Sequence, residues 1–332
     1  MKSIYKGKSI LITGGTGSFG SAFIKFLLTE YKDIKKIVIF SRDELKQYYQ
    51  KIELKKFDDK LRFFIGDVRD KNRLLEAFRG IDYVIHAAAL KQVESSEYNP
   101  IETIKTNVIG AQNIIEASIY NKVKKVIVLS TDKAVAPVNL YGASKLCSDK
   151  LFISANSIVG NMNIRFSVVR YGNVMGSRGS VVPVFLKQKT KGEIIITDKE
   201  MTRFNIMMHE SISMVDYVIK KSYGGEIVVP KIPSYNIMDL AKSIAPNIKI
   251  KVTGIRPGEK IHEDLITSND SLNTYDIGKY YVILTNNSKL LNFYLKKANA
   301  KKVKKFFSYS SDKNSKFLSV LELKKLVSKF EN

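Results

Sequence analysis

Short apolar runs rich in Val and Ile recur through the first half of the chain, and a polar or glycine-rich turn follows most of them. The runs are residues 8–13, 36–40, 63–68, 83–89, 126–129 and 165–170. Segments with helical spacing of apolar residues lie between them, as after Gly20, where Phe23, Leu27 and Leu28 share one face. This alternation is typical of βαβ units and a parallel sheet. We therefore predict an α/β protein with a doubly wound, Rossmann-type parallel sheet.

The first apolar run leads directly into a glycine-rich segment, residues 14–20, ahead of a predicted helix. Gly14 allows a tight turn, Gly17 lets the backbone approach a pyrophosphate, and Gly20 lets the helix pack closely on the strand. Free N–H groups at the helix N-terminus bind phosphate. We therefore predict a dinucleotide site here. Its predicted contacts are Gly14, Thr16, Gly17, Ser18, Phe19 and Gly20.

The end of the second predicted strand bears on which dinucleotide is bound. A lone acidic residue at this position bonds the ribose 2′-hydroxyl of NAD, whereas a nearby arginine accommodates the 2′-phosphate of NADP. Here Ser41 and Arg42 precede Asp43, and Lys46 follows closely. We therefore predict that the protein binds NADP.

Two later strands contribute to the same predicted site. Asp67 and Val68 end the third strand, where a polar residue can meet the adenine, and the small residues 87–89 leave room for the cofactor. We interpret His86 as a packed residue at a strand end and not as a catalyst. For Asn107, in the next helix, two interpretations stay open: bonds to backbone and water near the catalytic lysine, or a buried and satisfied amide.

A polar stretch, residues 130–145, joins the strand predicted at 126–129 to a helix. Tyr141 and Lys145 lie four residues apart and so share one helix face. We predict that the ammonium lowers the phenol pKa, which makes Tyr141 a base for a hydroxyl proton. Asp132 and Lys133 form a second acid–base pair at the carboxyl end of the strand, where open α/β sheets bind ligands. A solvated surface pair is the alternative interpretation of Tyr141 and Lys145.

The composition is strongly basic, with 55 Lys and Arg against 32 Asp and Glu and a net charge of +23. The lysines are spread along the chain, and their densest run, residues 296–305, lacks aromatics for base stacking. We therefore favour a basic surface with anion-binding sites over nucleic-acid binding. The single cysteine, Cys147, excludes an internal disulfide, and we predict that it is buried. Neither a signal peptide nor a membrane span is predicted, so we expect a cytoplasmic protein.

Together these motifs resemble the extended short-chain dehydrogenase/reductase superfamily. Within it, the sequence is similar to the inverting UDP-N-acetylglucosamine 4,6-dehydratases, lyases that open pseudaminic acid biosynthesis. The matching segments are 41–46 (SRDELK), 65–70 (IGDVRD), 130–134 (STDKA), 139–145 (NLYGASK), 170–182 (RYGNVMGSRGSVV), 201–204 (MTRF), 254–260 (GIRPGEK) and 309–313 (YSSDK). They extend over nearly the whole chain.

The resemblance implies roles for individual residues and no metal ligands. The catalytic residues would be Asp132, Lys133, Tyr141 and Lys145. The cofactor contacts beyond those given above would be Ala87, Ala88, Ala89, Lys91, Ser130, Thr131, Tyr141 and Lys145. The substrate contacts would be Lys91, Asn173, Val174, Ser177, Arg178, Gly179, Ser180, Val181, Val182, Thr197, Arg203, Arg256 and Glu259. Within that set the 177–180 loop suits a diphosphate, and Arg256 and Glu259 would contact the UDP ribose region.

The resemblance also implies a reaction. Tyr141, helped by Lys145, would remove the 4-hydroxyl proton of UDP-N-acetylglucosamine while hydride leaves C-4 for NADP. Lys133 would take the C-5 proton, and Asp132 or Lys133 itself would protonate the departing 6-hydroxyl. Hydride would return to C-6, and protonation of C-5 from the other face would invert that centre. Lys133 must be neutral for part of this cycle, and we predict that burial and the nicotinamide lower its pKa.

The implied domain organisation has two parts. Residues 1–170 would form the NADP-binding Rossmann domain with the catalytic residues. Residues 171–332 would form mainly a smaller α/β lobe for the nucleotide sugar, with some segments returning to the first domain. The family also implies a homo-oligomer, a hexamer or an assembly of dimers, and a product that serves glycan synthesis such as flagellin glycosylation.

Two departures and several alternatives stay open at this stage. The residues between Phe204 and Glu210 differ from those of the family. The family usually carries His where this chain has Gln92, which bears on fine substrate contacts. Related soluble 4,6-dehydratase/epimerases commonly carry Met where Tyr141 stands, so Tyr141 favours the inverting dehydratases. A nucleotide-sugar 4-epimerase would use Tyr141 and Lys145 without needing Asp132 and Lys133. A non-enzymatic NADP sensor and a nucleic-acid binder are the remaining alternatives.

Overall fold

Strands and helices alternate along the computed structural model, which describes residues 3–330. The strands are β1 (Ser9–Thr13), β2 (Lys36–Ser41), β3 (Leu61–Ile65), β4 (Tyr83–His86), β5 (Lys125–Thr131), β6 (Arg165–Tyr171), β7 (Asn173–Val174), β8 (Glu193–Ile196), β9 (Thr202–Ile206), β10 (Glu226–Pro230), β11 (Ser234–Asn236), β12 (Lys249–Val252), β13 (Asp264–Ile266), β14 (Thr274–Asp276), β15 (Tyr280–Leu284), β16 (Lys301–Lys302) and β17 (Tyr309–Ser310). The α-helices are α1 (Ser18–Glu30), α2 (Glu44–Glu53), α3 (Lys71–Ala77), α4 (Val93–Tyr98), α5 (Pro100–Ile104), α6 (Gly110–Tyr120), α7 (Leu140–Ile158), α8 (Val181–Lys189), α9 (Met208–Lys221), α10 (Ile237–Ile244), α11 (Ser288–Ala298) and α12 (Val320–Val327).

One large sheet organises the fold. Its strand order is β16-β14-β15-β10-β6-β5-β4-β1-β2-β3. The strands from β3 across to β10 are parallel, and β15, β14 and β16 add antiparallel pairs at one edge. Segments far beyond residue 170 thus return to this sheet. The predicted doubly wound α/β fold is confirmed.

The central strands are buried because helices cover both faces of the sheet. Successive residues of β1 point to opposite sides, so Ile10 and Ile12 pack in one hydrophobic cluster and Leu11 in another. All five residues of β1 are buried. A strand buried on both faces reads as a continuous apolar run, which is the pattern that made these strands predictable.

The position of the site follows from the strand order. The chain leaves β1 for β2 on one side, and later returns to β4 on the other side of β1. At such a switch point the connections diverge and leave a crevice beyond the carboxyl ends of the strands. The glycine-rich loop after β1 and the polar stretch after β5 both lie at this edge.

A smaller lobe packs beside that edge. It contains a three-stranded sheet, β11-β9-β7, and two pairs of strands, β12-β8 and β13-β17. Its own apolar core joins α8, α10 and α12 through buried residues such as Phe185, Leu240 and Leu323. Phe204 and Ile206 of β9 and Leu265 and Ile266 of β13 pack instead in the hydrophobic cluster of the large sheet, so the lobe shares part of its core with that sheet.

Three details differ from the sequence predictions. The helix predicted to contain Asn107 is interrupted by a π-helical turn over Lys105–Ile109. The fourth strand ends at His86, so residues 87–90 form a loop. Cys147 is exposed on α7, and the prediction that it is buried is wrong, because it lies on the solvent face of that helix.

Candidate active site

A cavity of about 1280 Å³ lies between the carboxyl edge of the large sheet and the smaller lobe. It is lined by all of the predicted site residues except Asp132 and Val182. Asp132 is fully buried next to Lys133. Val182 packs in the core of the lobe. The two regions of the chain thus meet around a single space.

The glycine-rich loop forms a tight cradle at one end of the cavity. Gly14 has a φ of +64°, and a Cβ there would lie 2.9 Å from the amide nitrogen of Ala88. A Cβ on Gly20 would lie 2.5 Å from the carbonyl oxygen of Gly14, so close packing of α1 on the loop requires glycine. Gly17 is the N-cap of α1, whose first turn carries no acidic residue. The free N–H groups of α1 therefore suit an anionic group.

Two polar side chains at the end of β2, those of Ser41 and Asp43, already form hydrogen bonds within the protein. Ser41 is buried and accepts a hydrogen bond from Gln47 Nε2 at 3.0 Å. Asp43 caps α2 by accepting from the backbone N–H of Lys46 at 2.9 Å, and contacts with Lys46 lower the pKa of its carboxyl. Arg42, by contrast, keeps a half-exposed guanidinium, 3.6 Å from Asp67. Arg42 is thus the freer charged group at this end of the cavity.

His86 is packed into the sheet and does not reach the cavity. It is 2% exposed, and its Nδ1 lies 2.8 Å from Thr13 Oγ1. Burial, with a smaller contribution from Lys145, lowers the pKa of His86 to about 3. His86 is therefore neutral at physiological pH.

Lys133 lies on the cavity wall between two buried carboxylates. Its Nζ is 3.1 Å from Asp132 Oδ1 and 3.2 Å from Glu263 Oε1, and it donates to Asn173 Oδ1 at 3.2 Å. Burial alone lowers the Lys133 pKa, but Asp132 and Glu263 raise it further than burial lowers it. The prediction of a lowered pKa is wrong for this structure, because the second carboxylate was not foreseen.

Tyr141 and Lys145 occupy the same wall but do not act on each other as predicted. Burial raises the pKa of Tyr141 to about 12, and Lys133 is the cation that opposes this rise. Lys145 Nζ donates to the carbonyl oxygen of Leu129 at 2.9 Å, and burial lowers its pKa. The expected lowering of the Tyr141 pKa by Lys145 is therefore wrong. Lys133, and not Lys145, is the cation whose charge favours the ionised form of Tyr141.

The 177–180 loop bridges the two halves of the cavity. The backbone N–H of Arg178 donates to Ser18 Oγ at 3.3 Å, and Lys91 Nζ donates to the carbonyl oxygen of Arg178 at 3.0 Å. Ser180 is the N-cap of α8, and its buried hydroxyl has no partner among the described residues. An unpartnered hydroxyl at a helix N-terminus suits an oxyanion.

Two arginines of the lobe differ in the groups that their guanidinium contacts. Arg203 donates to the carbonyl oxygens of Thr202, Ile261 and Lys260 at 2.7–2.9 Å. Arg256 pairs with Glu259 and, 2.7 Å away, with Glu94 at the start of α4. The Arg256–Glu94 pair joins the lobe to the Rossmann side at the cavity mouth.

Comparison with known proteins places this chain in a family. Residues 10–285 match the family model described as polysaccharide biosynthesis protein. The chain belongs to that family. It is 52% identical over 335 residues to the UDP-N-acetylglucosamine 4,6-dehydratase (inverting) of Campylobacter jejuni strain 81-176, with 99% of each chain covered. The predicted resemblance to these enzymes is thus confirmed.

Other known proteins are also similar to this chain. The UDP-glucose 4-epimerase of Rickettsia akari is 45% identical, over 98% of this chain and 96% of its own. The X-ray structure of Pen from Bacillus thuringiensis has a TM-score of 0.89 at 37% identity and covers 99% of both chains. The dTDP-glucose 4,6-dehydratase DesIV of Streptomyces venezuelae, solved with NAD and TYD, has a TM-score of 0.69 at 22% identity, covering 76% of this chain and 86% of its own. At that identity DesIV supports the fold alone.

Sequence reasoning missed residues that reach the cavity from distant segments. Glu263 is the foremost, because it contacts Lys133 although 130 positions separate them. Tyr171 and Tyr235 also line the cavity and are buried. The sequence offered one signal for Glu263, which is that it follows closely after segment 254–260. Only Arg256 and Glu259 of that segment were predicted to contact the substrate.

Two further features concern the described range, residues 3–330. No helix in that range is both long enough and apolar enough to cross a membrane. Within the same range, no group of three or more His, Cys, Asp or Glu side chains is placed to hold a metal ion.

Proposed function

We propose that this protein removes water from UDP-N-acetylglucosamine and forms a UDP-4-keto-6-deoxy sugar with inversion at C-5. The observation that carries this proposal is Lys133, held on the cavity wall by Asp132 and Glu263. Once Lys133 has passed its proton to one of these carboxylates, its amine can take a proton from carbon, a step that a dehydratase needs and a 4-epimerase does not. The 52% identity to the Campylobacter jejuni enzyme supports the same reaction.

The cofactor in this proposal is NADP. The fit rests on the cradle of residues 14–20, where side chains on Gly14 or Gly20 would collide with backbone, and on the N-terminus of α1. Arg42 and Lys46 would hold the 2′-phosphate, since Asp43 is already engaged as a helix cap. When bound, NADP supplies a hydride acceptor that later gives the hydride back, so the reaction has no net redox change.

The substrate in this proposal lies between the lobe and the sheet edge. The 177–180 loop and the N-terminus of α8 would bind the diphosphate through backbone N–H groups, Ser180 and Arg178. Arg256 and Glu259 would hold the UDP ribose. Thr197 and Arg203 line the same part of the cavity and would contact the nucleotide.

The proton transfers use Tyr141, Lys133 and Asp132. Tyr141 takes the 4-hydroxyl proton, which requires a cation nearby because burial holds its pKa at about 12. Lys133 supplies such a charge within the cavity wall. Lys133 must next release a proton before it can take one from C-5, since its carboxylate partners keep it as an ammonium in this structure. Asp132, 3.1 Å away, is placed to receive that proton. Because Asp132 is buried behind Lys133, it returns the proton to Lys133, which lines the cavity and protonates the departing 6-hydroxyl.

A second candidate function is that of a nucleotide-sugar 4-epimerase. The observation in its favour is the 45% identity to the Rickettsia akari UDP-glucose 4-epimerase over 98% of the chain. Tyr141 and the cofactor cradle would serve that reaction equally. Lys133 between two carboxylates would then have no chemical role, which is why the dehydratase is preferred.

One experiment separates the two functions. The protein is incubated with UDP-N-acetylglucosamine and NADP⁺, and the nucleotide sugar is analysed by mass spectrometry and proton NMR. The loss of one water molecule supports the dehydratase. An unchanged mass with a changed configuration at C-4 supports the epimerase and refutes the first proposal.

Finer aspects of the proposal follow from the same reaction. The product would serve pseudaminic acid biosynthesis and, through it, glycans such as those of flagellin, and the enzyme would act in the cytoplasm as a homo-oligomer. Large apolar side chains are exposed along α4 to α6, including Tyr98, Ile101 and Tyr120. Such a surface suits contact with another copy, and light scattering of the purified protein tests it.

A further inference from the structure

Glu263 is a buried carboxylate that the reaction proposed above leaves without a role. It is 2% exposed, lines the cavity, and places Oε1 3.2 Å from Lys133 Nζ. Its other oxygen, Oε2, is buried and has no hydrogen-bond partner among the described residues. A buried carboxylate is costly unless charge or hydrogen bonds offset the loss of water. The ammonium of Lys133 is the group that offsets it here.

The position of Glu263 is fixed from behind by a segment near the end of the chain. Its backbone N–H donates to Ser311 Oγ at 2.9 Å, and the N–H of Ser311 donates to the carbonyl oxygen of Glu263 at 2.8 Å. Directly after Glu263, β13 pairs antiparallel with β17. Ser311 Oγ also lies 2.8 Å from Thr202 Oγ1, which ties both segments to β9. These contacts give residues 309–311 a function: they hold Glu263 against Lys133.

The two carboxylates share one ammonium, and this sets what happens when Lys133 gives up its proton. Asp132 and Glu263 each destabilise the other's negative charge, so both cannot easily be left without a cation. The other ionisable groups facing this cluster are Arg203, Lys260, Tyr141, Tyr235 and Lys91. If Asp132 takes the proton, Glu263 remains an anion 3.2 Å from the free amine.

We propose that Glu263 is a positioning residue that holds Lys133 Nζ toward the C-5 proton and stabilises the ammonium formed when that proton arrives. This inference rests on the proposed dehydration. The part it gives Glu263 is that of the buried carboxylate in a catalytic triad, which orients a base and stabilises its protonated form.

The proton inventory closes over the step. The resting proton of Lys133 passes to Asp132 Oδ1, which frees the lone pair on Nζ. The C-5–H bond breaks, its proton goes to Nζ, and its electron pair forms the C-5–C-6 double bond. The C-6–O bond breaks, and the departing oxygen takes a proton from the Lys133 ammonium and leaves as water, while the proton held by Asp132 Oδ1 returns to Nζ. Lys133 is then an ammonium between two carboxylates again, as it was at the start.

The test compares Glu263→Gln with the parent enzyme and with Asp264→Asn. Gln keeps the shape and an oxygen that can accept from Nζ but lacks the charge. Asp264 is the next residue, loses the same charge on substitution, and does not line the cavity. We expect Glu263→Gln to lower kcat for water loss by about 10²-fold, with KM within about threefold of the parent. Asp264→Asn should leave both near the parent values.

The pH profile distinguishes a charge effect from a structural one. Lys133 can act only after a neighbouring carboxylate has taken its proton, so an extra proton on this cluster blocks the step and kcat rises with pH as that extra proton is lost. Removing the negative charge of Glu263 lets that extra proton leave the cluster at lower pH, so the acid limb of the Glu263→Gln profile should move to lower pH. Glu263→Asp retains the charge, and its acid limb should stay near that of the parent even if its kcat is reduced.

A double variant completes the test. Because Glu263 acts through Lys133, adding Glu263→Gln to Lys133→Ala should cause little further loss. An unmoved acid limb in Glu263→Gln, or losses that multiply in the double variant, overturns the inference while leaving the dehydratase in place. Failure of the parent to release water overturns the proposed function and this inference with it. If Glu263→Gln does not fold, the kcat and acid limb of Glu263→Asp decide.

Discussion

Asn107 and Leu90 are joined by two hydrogen bonds, one to each polar group of the Leu90 backbone. The N–H of Leu90 donates to Asn107 Oδ1 at 2.9 Å, and Asn107 Nδ2 donates to the Leu90 carbonyl oxygen at 2.8 Å. The same Nδ2 donates to Ser144 Oγ on α7 at 3.0 Å. One buried amide thus fixes the loop after β4 and the helix that carries Tyr141. Of the two interpretations of Asn107, the buried and satisfied amide is the one the structure supports.

Asn107→Leu should destabilise the fold by about 2 kcal/mol, because Leu keeps the volume but leaves the polar groups of Leu90 unpaired. NADP affinity should fall as well, since residues 87–89 lose their support. Urea unfolding and cofactor titration measure the two effects. Asn99→Ala is the control: its side chain is exposed, and its loss should change stability by less than about 0.5 kcal/mol. Equal stability of the two variants would contradict the prediction.

Arg42→Ala should narrow the preference of the protein for NADP over NAD. Arg42 lines the cavity with a half-exposed guanidinium, and a charge-assisted bond to the 2′-phosphate contributes about 1.5–3 kcal/mol. The ratio of the two dissociation constants should therefore fall about tenfold or more. Lys51→Ala on α2 removes a cation that does not line the cavity and should leave the ratio unchanged. Equal affinity of the parent protein for NADP and NAD would contradict the predicted preference for NADP.

The parts of the fold that were predictable are those with local causes. The strands β1, β2, β4 and β5 are buried on both faces and so appear as apolar runs, and the residues 14–20 carry their spacing within one turn. The return of β15 to the large sheet depends instead on pairing with β10, about 50 residues earlier. No local pattern specifies that partner.

The pKa shifts within the site were less predictable from the sequence than the identity of the residues that form it. Spacing on α7 placed Tyr141 and Lys145 on one face, but it could not show that Lys145 would bond the Leu129 carbonyl. Nor could it show that Glu263 would reach Lys133 and reverse the direction of its pKa shift. A pKa depends on every charge within several ångströms, and these charges come from segments that meet only in the folded chain.

His86 should make stability depend on pH below neutrality. Its pKa is about 3 in the folded protein and about 6.5 when unfolded, so the unfolded chain binds the extra proton between these values. The stabilisation is therefore present above about pH 6.5 and is lost as the pH falls toward 3. Between about pH 7 and pH 5 the parent should lose about 2 kcal/mol more than His86→Gln does, as measured by urea unfolding. Parallel losses in the two proteins would show that His86 is protonated without unfolding.

Lys133→Ala should stop water loss while leaving the cofactor cradle intact. Removal of a general base costs on the order of 10²–10⁴ in rate. Loss of the Lys133 charge also slows removal of the 4-hydroxyl proton by Tyr141, because that charge opposes the rise in the Tyr141 pKa. The variant given UDP-N-acetylglucosamine and NADP⁺ should form no 6-deoxy product, although a little reduced cofactor absorbance can develop. Lys150→Ala, which removes an exposed lysine of the same helix as Tyr141, should behave like the parent.

In heavy water the parent product should carry deuterium at C-5 with inverted configuration, because the proton returned there comes from an exchangeable group. Undiminished dehydration in Lys133→Ala, or the absence of C-5 deuterium from the parent product, would remove Lys133 from the mechanism. Retained configuration at C-5 would keep the dehydratase but separate this chain from the inverting enzymes.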